Sequence, residues 1–108
     1  MKVEQSNSPI SEQYRLEAEN WVALDSAANL LEETKSAVLS QMMARLGDIP
    51  VSHAERAVKS SEEWATYVTK MVKAREKSNL AKVRCEYMRM KFSEWQSENA
   101  NRRAEMRL

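Results

Sequence analysis

From Trp64 to the C-terminus the chain contains no glycine or proline, and one apolar stripe runs through this stretch. Trp64, Tyr67, Met71, Ala74, Ser78, Ala81, Cys85, Met88, Phe92 and Trp95 succeed one another at strictly alternating steps of three and four. Only a helix places such positions on one face, and a face sustained over so many heptads needs a second helix along its length. The rest of the chain agrees. Its 108 residues include one glycine, Gly47, and two prolines, Pro9 and Pro50, too few turn formers for an all-β or α/β domain. The expected fold class is all-α: a long antiparallel helical hairpin with coiled-coil-like packing, in an oligomer.

Residues 1–8 lack periodicity and are expected to form a mobile leader to a single helical domain over 9–108. Ser8-Pro9 suits the start of a helix, since Ser caps free amides and Pro tolerates the first helical position. Nothing interrupts the pattern before Leu46, so one helix is expected over 9–46. Its apolar face holds Trp21, Leu24, Ala28, Leu31, Val38 and Met42. Gly47-Asp48-Ile49-Pro50 carries both stop signals and sets a turn at 47–51. Ser52-His53-Ala54-Glu55 reads as a capping box that opens the next helix. A second box, Ser60-Ser61-Glu62-Glu63, leaves two readings: one helix over 52–107, or a short helix 52–59 before a long one. The second box tips the reading towards the break.

Folding the first helix back through Gly47 sets Trp21 against the region of residue 77, where small Ala74, Ser78 and Ala81 leave room for an indole. The first helix then reaches only to about residue 88. Met88, Phe92 and Trp95 continue the stripe beyond it and are expected to form an oligomer interface, because apolar surface of this kind marks an association site.

Charge is unevenly spread. Residues 1–48 hold four basic and eight acidic side chains, whereas 49–108 hold thirteen basic and eight acidic. Lys70, Lys77, Arg84 and Lys91 line one flank of the stripe; Arg75, Lys82, Arg89 and Arg103 line the other. Every flanking position from 70 to 91 is basic. Three uses compete: pairing with first-helix acids such as Glu12, Glu17, Glu19 and Asp25, contact with a phosphate backbone, or docking on an acidic protein. Tyr87, outside the stripe, is the ring best placed to stack on a base among these cations.

Signals for catalysis or bound cofactors are weak. The lone histidine, His53, falls in a helix's first turn and reads as solvent-exposed. The lone cysteine, Cys85, lies in the stripe and reads as a small buried hydrophobe that can form no intrachain disulfide. Glu32-Glu33 and Glu62-Glu63 are helical neighbours that diverge, which does not suit acid–base work. No Gly-rich phosphate loop or His/Cys metal spacing occurs. A non-enzyme without cofactor or metal is expected. Nor is there a signal-peptide-like core or a run long enough to span a bilayer, so the expected setting is cytoplasmic, with no membrane partner.

The stretch Asn79-Leu80-Ala81-Lys82-Val83-Arg84-Cys85-Glu86-Tyr87, continuing into Phe92-Ser93-Glu94-Trp95-Gln96, resembles the small helical accessory proteins of bacteriophage recombination modules, above all recombination mediators. The likeness extends over residues 64–108. It implies a helical oligomer in a bacterial host cell that binds single-stranded DNA and protein partners. The leading expectation is therefore single-stranded DNA binding through Lys70, Arg75, Lys77, Lys82, Arg84, Tyr87, Arg89 and Lys91. The rival is a protein-binding inhibitor or adaptor acting on a host complex, and a third reading is a structural assembly subunit.

Overall fold

The computed structural model describes residues 9–107, which contain helices and no strand. The elements are α1 (Ile10–Glu33), α2 (Lys35–Ala44), α3 (Val51–Lys59) and α4 (Glu62–Met106). The expected leader lies outside the described residues, as does Ser8. The Pro9 carbonyl accepts from the amides of Glu12 and Gln13 at 3.0 and 3.1 Å, so helical bonding begins at the expected place.

The first helical stretch is interrupted, contrary to the single helix expected over 9–46. Thr34 divides α1 from α2, and its hydroxyl donates to the Leu30 carbonyl at 2.7 Å. The Tyr67 hydroxyl donates to the Leu31 carbonyl, which an uninterrupted helix offers to the amide of Lys35. A threonine that bonds back to its own helix and a tyrosine from α4 thus compete for backbone acceptors at one place, a known cause of helix bending. Gly47 then ends the stretch as expected, with φ at +87°, a left-handed backbone that glycine adopts at little cost.

The box expected at Ser52 does not form. α3 starts one residue earlier, after Pro50, without a side-chain cap, and Glu55 instead pairs with Lys59 at 2.7 Å. Proline's fixed φ already sets the first turn. The second box does not form as spelled: the Ser60 hydroxyl donates back to the Arg56 and Ala57 carbonyls and Glu63 pairs with Arg45 at 2.7 Å, while Ser61 Oγ, one residue later, accepts from the Trp64 amide at 3.2 Å. The helix is accordingly broken at Ser60–Ser61.

Two compact units arise: residues 24–78, and residues 1–23 with 79–108. In the first, Met42, Val58 and Trp64 form a buried core, and Val38, Leu39, Met43, Tyr67 and Val68 pack against it. Trp64 stacks on Tyr67 with ring centroids 5.6 Å apart. Each large apolar side chain buried this way contributes about 1.5–3 kcal/mol. In the second unit Ala81, Cys85 and Met88 are buried, and α1 meets α4 antiparallel, Trp21 lying beside Lys82.

Candidate nucleic-acid interface

The stripe of α4 does position the basic rows on its flanks, but the rows have different surroundings. Arg75 is consumed inside the unit of residues 24–78. Its guanidinium donates from Nε to Glu32 Oε2 at 2.9 Å and from Nη2 to Glu32 Oε1 at 2.7 Å, a bidentate fork. It also donates to Asp25 Oδ1 at 2.6 Å and to Asn29 Oδ1 at 2.7 Å. Ser78, a polar residue on the stripe, is only 1% exposed and donates to the same Asp25 oxygen at 3.0 Å. The Arg75 guanidinium, aided by the Ser78 hydroxyl, holds the Asp25 carboxyl below its usual range; Arg75 does the same to Glu32. Arg75 is therefore a fastener between α1 and α4, with its charge already matched by Asp25 and Glu32.

Of the acids expected to neutralise the rows, Asp25 alone does so among the described residues. Glu12 and Glu19 pair with Arg15 of their own helix. Lys70, Lys77, Arg84, Arg89 and Lys91 are exposed and make no ion pair among the described residues. Lys82 is engaged differently: its ammonium lies 5.9 Å from the Trp21 ring centroid, within cation–π range.

Trp21, expected against the region of residue 77 where Ala74, Ser78 and Ala81 leave room, lies beside Lys82, next to the fully buried Ala81. Met88, expected to need a second chain, is buried within its own at 9% exposure. Phe92 is half-buried and shares a shallow apolar recess with Ser11, Tyr14 and Arg89. Trp95 is 47% exposed and stacks on Phe92 with centroids 5.9 Å apart.

In the unit of residues 1–23 and 79–108, Arg84, Tyr87 and Lys91 follow at steps of three and four, so their side chains neighbour one another along one face of α4. Tyr87 is 60% exposed, and the Lys91 ammonium lies 6.0 Å from its ring centroid. Arg89 stands on the opposite flank. In the unit of residues 24–78, Lys70 and Lys77 are joined by Lys73, also exposed, which the flank-by-flank reading passed over. A search for cations at steps of three and four, instead of seven, would have found it. No family model, curated protein or solved structure matches the chain.

Proposed function

We propose that the protein is a non-enzymatic, oligomeric accessory protein of the phage recombination type, acting in a bacterial cytoplasm, and that it binds single-stranded DNA through Arg84, Tyr87 and Lys91. The observation that carries this reading is the exposed strip itself: a ring between two cations that have no counter-ion among the described residues. Phosphates supply the missing charge and a base has an open face on which to stack. Arg89 on the other flank adds a further cation, while Arg75 and Lys82 serve the fold.

Fluorescence anisotropy with a labelled oligothymidylate tests this directly. Wild-type affinity should fall steeply with rising salt, and reversing Arg84 and Lys91 to Glu should lower it by about tenfold or more with helicity unchanged. Tyr87→Ala should cost about 1–3 kcal/mol of binding, the usual worth of a stacked base. Failure of the wild-type protein to bind at low salt would end this reading and favour the protein-binding adaptor.

A further inference from the structure

Two features of the molecule lack a counterpart. The first is a groove in the unit of residues 24–78, about 500 Å³ in volume, with a floor that includes Leu24, Ala27 and Leu31 of α1 and Ala74 of α4. Its rim on α4 is Lys70, Lys73 and Lys77, neighbours at steps of three and four that span about 10 Å, or two helical turns. Like charges at this spacing repel, and none of the three has an ion pair among the described residues. The α1 acids Asp25 and Glu32 bond instead to Arg75 on the other flank. The second feature is the end of α4. There Phe92, Trp95 and Met106 continue the apolar stripe, and Trp95 and Met106 are exposed. Beyond Lys91 that side of the helix carries Glu94, Glu98 and Glu105, with Arg102 on the stripe between the last two and Arg103 opposite.

We infer that the groove of one copy receives the C-terminal part of α4 from a second copy. Trp95 of the incoming helix lies on the aliphatic floor, and its glutamates face the three lysines. A nucleic acid suits the groove less well, because the floor is aliphatic and offers no ring on which a base could stack. A helix laid between two helices is a standard mode of recognition, with apolar anchors at helical spacing and charges along the rim. The contact is head-to-tail, since groove and tail are different surfaces of the same chain, so it generates a ring or an open chain of copies. The inference does not depend on DNA binding, and it reserves Lys70 and Lys77 for protein.

The test uses complementary charge reversal on the full chain, read by sedimentation equilibrium. One variant carries Lys70→Glu, Lys73→Glu and Lys77→Glu; the other carries Glu94→Lys, Glu98→Lys and Glu105→Lys. All six positions are exposed, and circular dichroism checks that each variant keeps its helicity. Wild type should self-associate, and each variant alone should associate about tenfold or more weakly. An equimolar mixture should regain assembly, because every groove then meets a tail of opposite charge. A monomeric wild type, variants that assemble like wild type, or a mixture no better than its components would each overturn the inference. Oligothymidylate binding measured on the same variants keeps the two readings apart: the groove variant should retain it if Arg84, Tyr87 and Lys91 are the DNA strip.

Discussion

Trp64 and Trp95 stand on one stripe of one helix, yet Trp64 is 7% exposed and Trp95 is 47% exposed. Periodicity selects the face that both occupy, but the cover comes from elsewhere. Trp64 has Met42 and Val58 in its core cluster and Tyr67 stacked on it. Trp95 has Phe92, from its own helix. A stripe is a demand for burial, and each segment meets that demand only where another apolar face arrives.

The largest expected effect tests this contrast directly. Trp64→Ala should destabilise the protein by about 3–5 kcal/mol, the cost of truncating a large buried aromatic. Trp95→Ala should leave urea unfolding almost unchanged at protein concentrations low enough to keep copies apart, while weakening self-association. Equal losses from the two substitutions at low concentration would show that the chain covers both ends of the stripe by itself.

A smaller effect contrasts the stripe with its outer side. Ala81 is fully buried, so Ala81→Leu should cost about 1–3 kcal/mol through overpacking. The same leucine at exposed Val83 should change stability by less than about 0.5 kcal/mol. Thermal unfolding of the two variants gives the comparison. A tolerated Ala81→Leu would mean that α1 can move away from α4 at this layer.

The polar side of the contrast lies at Tyr67, whose hydroxyl bridges α4 to Leu31 and lies 3.2 Å from the Thr34 hydroxyl. Tyr67→Phe removes the donor and keeps the ring, so a loss of about 0.5–1.5 kcal/mol is expected in denaturant unfolding. No loss at all would mean that the division at Thr34 owes nothing to this bond.

These contrasts also show what the residue pattern could reveal. The stripe was legible position by position, because burial follows its three-four alternation from Trp64 to Met88. Gly47 as a stop was legible because its backbone requirement is local. The division at Thr34 was not, since it depends on a hydroxyl that arrives from thirty-three residues away. Ser52-Glu55 had the letters of a capping box, but Pro50 set the helix start first. The role of Arg75 was hidden for a similar reason: heptad spacing made it one of seven equivalent cations, and only the partner helix distinguishes it. Asp25, Asn29 and Glu32 follow at steps of four and three on α1 and converge on that one guanidinium. The open lysines are legible as charge in the sequence and as a rim only once Leu24, Ala27 and Leu31 lie beside them.

The smallest expected effect distinguishes the two flanks of α4 by pH. Asp25 and Glu32 have carboxyl groups held below their ordinary range, chiefly by hydrogen bonds from Arg75. A carboxyl with a lower pKa folded than unfolded adds stability above its unfolded pKa and loses it as pH falls through the folded value. The Arg75 flank should therefore contribute fully near neutrality and progressively less in acid. At concentrations low enough to keep copies apart, Lys70, Lys73 and Lys77 have no such partner among the described residues, so neutralising them there should produce no matching acid-dependent change. The network is partly exposed, with the Arg75 side chain at 30%, so solvent screening keeps the effect modest and raised salt should reduce it. The measurement is the melting temperature of wild type, Arg75→Gln and Lys73→Gln from about pH 6 down to about pH 2. The gap between wild type and Arg75→Gln should be widest near pH 6 and close as both carboxyls protonate, while Lys73→Gln should stay parallel to wild type. A gap for Arg75→Gln that does not change with pH would mean that Arg75 contributes through the packing of its stem, and that its bonds to Asp25 and Glu32 hold nothing together.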